Sequence, residues 1–145
     1  MSDIDVLVLT DSPTPSAELL DHLRERAATE PVRFHLLVTN PERAEVHLRH
    51  PEHHDAAVDA HLRLQTALTQ ISTDVAAPVS GDVSIRHDPH QAVEEELLQR
   101  PHDEILVALR PHHHEVAERL HLDLVHRLAH LGVPVRTLPV PASAP

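Results

Sequence analysis

The chain reads as a single α/β domain, an open parallel sheet of five strands with helices on both faces. Three observations predict it. Short, nearly continuous apolar runs alternate with longer stretches of helical periodicity. That alternation persists from end to end, and strands separated by helices imply a parallel sheet built from crossover connections. The length of 145 residues, 41 % of them apolar, suits one core of ordinary size. Residues 1–139 form the expected domain, and 140–145, rich in proline and alanine, form a frayed tail.

IDVLVLT, Ile4 to Thr10, is short and rich in branched residues, as a strand buried on both faces should be. DSPTPS follows as a turn, in which Thr14 is placed to cap a helix with Pro15 at its first position. That helix is expected to run to about Thr29, with Leu20, Leu23 and Ala27 inward, and Pro31 closes it. VRFHLLVT, Val32 to Thr39, is the second strand. The polar stretch Asn40 to His54 contains two prolines and reads as an irregular loop. A long helix is expected from about Asp55 to Val75, with Val58, Leu62, Leu68 and Ile71 on one side.

Pro78 ends that region, and GDVSIRH, Gly81 to His87, reads as the third strand. Asp88-Pro89-His90-Gln91 has the signature of a helix start: an N-cap Asp, proline at the first position and Gln three residues after the cap. The helix extends to about Gln99. On it, Glu94-Glu95-Glu96 reads as a solvated face. EILVAL, Glu104 to Leu109, is the fourth strand. A last helix reaches about His130 with Ala117, Leu120, Leu124 and Leu128 inward, and Gly132 stops it. VPVRTL, Val133 to Leu138, is the fifth strand.

Composition narrows the function classes. The formal net charge is −11 with neutral histidines, so neither nucleic acid nor an anionic membrane is an expected partner. Phe34 is the only aromatic residue among Phe, Trp and Tyr, which leaves no platform for base stacking. Cysteine is absent, so disulfides, thiol nucleophiles and cysteine metal clusters are excluded. MSDIDVLVLT carries acid where a signal peptide carries base, and a cytoplasmic location is expected. No Gly-x-Ser-x-Gly elbow, Walker loop or Gly-x-Gly-x-x-Gly is present, so no catalytic residue is assigned. There are 16 histidines, and protonating all of them would move the formal charge from −11 to +5. The surface therefore changes character as pH falls through the histidine range.

In a doubly wound sheet the ligand site lies beyond the carboxyl ends of the strands, where strand order reverses. The loops after strands one and four, TDSPTPS and LRPHHHE, are the candidates. Asp11 and Ser12 lie in the first. Arg110, His112, His113 and His114 lie in the second, at the start of the last helix, where an anion would meet the helix dipole. Val38, at the end of the second strand, completes the candidate nucleotide or anion site. Other histidines cluster by spacing alone: His50, His53 and His54 in the long loop; His87 and His90 around a helix start; His126 and His130 at i, i+4 with Asp123 on the same face. A histidine-rich chain produces such pairs by chance, no HExxH constellation occurs, and no metal ligand is assigned.

Four segments, VLVLTDSPTPSAELL, SGDVSIRHDPHQAVEEELLQR, HDEILVAL and HLDLVHRLAHLGVPVRTLPV, resemble the universal stress protein family in order and spacing, and together they span most of the chain. The resemblance implies the strand order 3-2-1-4-5, a homodimer often involving the last strand, and a role in stress survival rather than a defined catalytic step. Some members bind ATP, and they resemble one another in a Gly-x2-Gly-x9-Gly-(Ser/Thr) motif after strand four. Asp11 matches the family Asp at the base end of the nucleotide. The glycine motif has no counterpart here, because no glycine stands between Gly81 and Gly132. Glycine admits backbone N–H groups close to phosphate, whereas Pro111 lacks an N–H and the imidazoles take up volume. No cofactor is therefore assigned, although ATP or AMP is what the resemblance points to. Three functions stay open: a non-catalytic stress-response protein with a degenerate nucleotide site, a sensor of nucleotide or another anion using Asp11 and Arg110, and a histidine-based metal or pH-responsive protein.

Overall fold

The computed structural model describes residues 3–11, 15–39, 52–84, 89–109 and 123–138, with side chains between 52 and 84 described from residue 61 onward. The loop 40–51, the LRPHHHE segment from Arg110 and the tail 140–145 lie outside the described residues. Five strands form one sheet: β1 (Ile4–Thr10), β2 (Val32–Val38), β3 (Val79–Val83), β4 (Glu104–Ala108) and β5 (Val135–Thr137). Their order is β3-β2-β1-β4-β5, and every pairing is parallel. Three helices are α1 (Ala17–Thr29), α2 (Glu52–Val75) and α3 (Pro89–Gln99), and a fourth, α4, is helical over 123–129. Among the described residues no helix is long and apolar enough to cross a membrane.

The apolar runs explain the layers. Side chains alternate along a strand, so a continuously apolar strand feeds two cores. Val6 and Val8 of β1, with Phe34, Leu36 and Val38 of β2, pack against Leu19 and Leu23 of α1 and Leu64, Ile71 and Val75 of α2. Leu7 and Leu9, with Leu37, Ile105 and Val107, pack against Ala92 and Val93 of α3 and Leu124 and Leu128 of α4. At the amino end of the sheet Arg26 of α1 makes a two-pronged contact with Glu104, the first residue of β4, at 2.7 and 3.1 Å. That carboxylate, with burial opposing it, makes the guanidinium hold its proton even more tightly than usual.

Several boundaries differ from those the sequence suggests. α1 starts at Ala17 with Ser16 as its cap; the Ser16 hydroxyl accepts from the Leu19 N–H at 3.2 Å, which supersedes a Thr14–Pro15 start. α2 begins a turn earlier than expected. Its buried stripe is Leu64, Ile71 and Val75, whereas Leu62 is 58 % exposed. β3 begins at Val79, two residues before Gly81. The ladder can open directly after Pro78, because the Pro78 carbonyl accepts from the Phe34 N–H at 3.0 Å and the Ser72 hydroxyl takes the Val79 N–H at 3.1 Å. Gly81 is thus a mid-strand residue. A Cβ there would stand 3.0 Å from the Leu36 carbonyl oxygen and 3.0 Å from a methyl of Leu64, so glycine lets α2 lie close on the sheet. Gly132 follows α4 with φ +83°, the left-handed conformation that ends helices.

Gly81→Ala is therefore expected to destabilise the protein by about 1–2 kcal/mol, overpacking outweighing the roughly 0.4–1 kcal/mol gained from a stiffer unfolded chain. The midpoint of urea denaturation reads this directly. An unchanged or raised midpoint would show that α2 shifts away without cost.

Candidate functional site

Among the described residues, two of the regions that gather polar side chains bear on function. The first lies at the carboxyl ends of the strands. Thr10 pairs with Val38 in register, and the strands continue into Asp11 and Thr39. The Thr39 N–H donates to the Thr10 carbonyl at 2.8 Å, and the Ser84 N–H donates to the Val38 carbonyl at 2.8 Å. Asp11 is half-buried at this edge. The Val38 side chain is consumed by the core between the sheet and helices α1 and α2. The fold thus brings Asp11 and Val38 to neighbouring strand ends beside the β1/β4 switch point. Ser12, Arg110, His112, His113 and His114 lie outside the described residues.

The second region lies between the sheet and α3. His35, in the middle of β2, points to the same face as Leu7 and Leu37 and is only 5 % exposed. Its neighbour in β3 is Ser80, whose hydroxyl stands 2.7 Å from Nδ1. Nε2 is buried and makes no directed hydrogen bond, yet Asp82 Oδ2 is 3.2 Å away and Glu96 Oε1 is 3.6 Å away. Glu96 is also 5 % exposed. Its other oxygen takes a contact from His102 Nε2 at 3.0 Å and one from Arg100 Nε at 3.5 Å. The two imidazoles are tilted, with centroids 6.0 Å apart. A cleft of about 440 Å³ opens beside them at the amino ends of the strands, with Asp5, Arg33, His35, Ser80, Arg100 and His102 among its walls. It lies at the opposite end of the sheet from Asp11.

Local sequence explains the arrangement. α3 presents Ala92, Val93 and Glu96 to the sheet, positions i, i+1 and i+4 of one helical face. Glu96 is therefore not part of a solvated Glu94-Glu95-Glu96 face; it shares the buried stripe, while Glu94 is exposed. Arg100 and His102 follow as the chain turns from α3 into β4. None of these residues was assigned a role by spacing along the chain. The available signal was His35 itself, a polar side chain in a strand buried on both faces, which requires a partner. Of the spaced histidine groups, His126 and His130 do meet, Nε2 to Nε2 at 3.3 Å on an exposed surface. His90 contacts Glu94 at 2.9 Å. His50 and His87 lie outside the described residues, as do the side chains of His53 and His54. Among the described residues the one group of three with metal-ligand types in close approach is His35, Asp82 and Glu96.

Burial lowers the pKa of His35 below its usual value of 6.5; Arg100 and His102 push the same way, and Glu96 and Asp82 oppose them. Between the folded and unfolded values the unfolded chain binds the proton more readily. This contribution to stability is therefore complete above about pH 6.5 and is lost as pH falls through that window. In metal-free buffer the thermal midpoint of the wild type should fall more between pH 7.5 and 5 than that of His35→Gln, which retains a hydrogen-bonding side chain beside Ser80. Parallel curves for the two proteins would contradict the direction of the shift.

No protein-family model and no curated protein matches the chain. Among solved structures, a universal stress protein from Archaeoglobus fulgidus is similar over 92 % of this chain and 92 % of that one, with 14 % identity and a TM-score of 0.53. That likeness, together with the all-parallel sheet in the order β3-β2-β1-β4-β5, shows that the chain has the universal stress protein fold.

Proposed function

We propose that the chain is a universal-stress-protein-like stress-response protein that acts non-catalytically, by interaction or sensing, as a cytoplasmic homodimer with a degenerate nucleotide site. The observation that carries this reading is the contrast at the switch point. Asp11 follows β1, beside the point where strand order reverses, which supports reading it as a nucleotide contact. The segment that follows β4 reads LRPHHHE, and no glycine intervenes before Gly132. A phosphate cradle of backbone N–H groups needs close approach of the main chain, and Pro111 removes one of those groups. β5 lies at one edge of the sheet, with Arg136 and Thr137 exposed, which suits pairing along that edge in a dimer.

Equilibrium titration with ATP, ADP and AMP tests the reading. The wild type is expected to bind each with a Kd weaker than about 1 mM, a free energy of about −4 kcal/mol. A micromolar Kd that is lost in Asp11→Ala and Arg110→Ala would replace this reading with that of an anion sensor using those two residues.

A further inference from the structure

We propose that His35, Asp82 and Glu96 form a binding site for a divalent transition-metal cation, zinc foremost, with Ser80 and His102 as positioning residues. The site is separate from the strand-end nucleotide position and does not depend on it. The geometry carries the inference. In a tetrahedral zinc site with bonds of about 2.0–2.1 Å, neighbouring ligand atoms stand about 3.3 Å apart. His35 Nε2 lies 3.2 Å from Asp82 Oδ2 and 3.6 Å from Glu96 Oε1, and the ligand atoms of all three residues fall within 4.8 Å of one another.

The proton arrangement points the same way. With Nδ1–H donating to the Ser80 hydroxyl at 2.7 Å, the Nε2 lone pair faces two carboxylate oxygens. Three electron-rich atoms then converge, and the one nearby cation among the described residues, Arg100, reaches only Asp82 Oδ2 of the three, at 3.9 Å. In the other tautomer Nε2 would carry a proton, but neither carboxylate lies on its axis as a directed acceptor. A cation held among the three atoms would draw on all of them, which a proton on Nε2 cannot do. Metal-bound imidazoles normally donate their second N–H to an oxygen, which sets the tautomer and the ring orientation. Ser80 is placed for that role.

Glu96 is held in the same manner. Its second oxygen meets His102 at 3.0 Å, which leaves Oε1 turned toward His35. The charge also balances. Asp82 and Glu96 bring two negative charges, and Arg100 contacts both, at 3.9 and 3.5 Å. Arg100 is half exposed and can turn to solvent when a dication takes over its electrostatic role. One imidazole and two carboxylate oxygens suit zinc better than calcium or magnesium, which favour all-oxygen shells. Three protein ligands leave a fourth position for water, and the half-exposed Asp82 and the neighbouring cleft give access to it.

The test is isothermal titration of zinc into the full chain, stripped of metal with chelator and then dialysed, in the presence of a weak competing chelator that keeps free zinc too low to fill exposed histidine pairs. One equivalent of zinc is expected to bind with a micromolar or tighter Kd. Asp82→Asn leaves a half-exposed position and so preserves folding; it should weaken binding by more than the about 10–100-fold typical of a positioning residue, and Ser80→Ala by about 10-fold. His126→Ala with His130→Ala should leave the tight equivalent intact. Cobalt(II) titration gives a second readout, because visible absorption bands of a four-coordinate ion should appear in the wild type and vanish in His35→Gln. Substoichiometric zinc in the wild type would overturn the proposal. So would a tight equivalent that survives Asp82→Asn and disappears in the His126/His130 variant.

Discussion

β1 is the constraint on which the remaining structure depends. From Val6 to Leu9 its side chains are essentially inaccessible on both faces of the sheet. A strand of that kind must have a backbone partner on each side and a helical layer above and below, because an unpaired buried peptide group is too costly to retain. β2 and β4 supply the partners, with β1 in register from Ile4 to Thr10 on one side and from Val6 to Thr10 on the other. The chain reaches β2 through α1 in one direction and leaves the central strand toward β4 in the other. Strand order must therefore reverse beside β1. That reversal sets Asp11 just past the end of β1, and it sets His35 one strand away from the centre, under α3.

His35 and Glu96 are the exceptions to an otherwise aliphatic second core. Burying an imidazole and a carboxylate is unfavourable unless each finds polar partners. Here they find one another together with Ser80, Asp82, Arg100 and His102, contributed by β2, β3, α3 and the turn into β4. Apolar side chains at His35 and Glu96 would extend the neighbouring cluster of Leu37, Ala92 and Val93 without that cost. The network is therefore more readily understood as a site than as a source of stability. Its burial keeps His35 neutral near pH 7, the state in which imidazole binds metal.

The fold was legible where the chain speaks in one period at a time. Ile4–Thr10 and the Pro89 helix start have the expected bounds, because a continuous apolar run and an N-terminal proline each have few alternatives. Boundaries moved where two residue types compete for one role. Ser16 took the cap from Thr14, and Pro78 with Ser72 opened β3 before Gly81, a glycine that marks close packing rather than a break. In α2, Leu68 and Ile71 face the core as expected, whereas Leu62 is exposed and Leu64, packed against Gly81, is the buried residue instead. The site was less legible. Asp11 and Val38 could be placed by the switch-point rule, but His35, Ser80, Asp82, Glu96 and His102 span nearly half the sequence and meet only through the parallel register of β2 with β3 and the descent of α3. Spacing drew attention to His126 and His130, which meet at the surface. The isolated histidine in VRFHLLV carried the chemistry.

The strand ends bring together Asp11 and Val38, the described residues of the proposed nucleotide position, while the buried histidine–carboxylate cluster has convergent ligand atoms and supporting hydrogen bonds. This cluster is where the molecule is proposed to bind a cation. Diffraction from zinc-soaked crystals at the zinc absorption edge tests it most directly. An anomalous peak is expected about 2.0–2.1 Å from His35 Nε2 and in bonding range of Asp82 and Glu96. Peaks confined to the exposed histidines, with none between β2, β3 and α3, would contradict it.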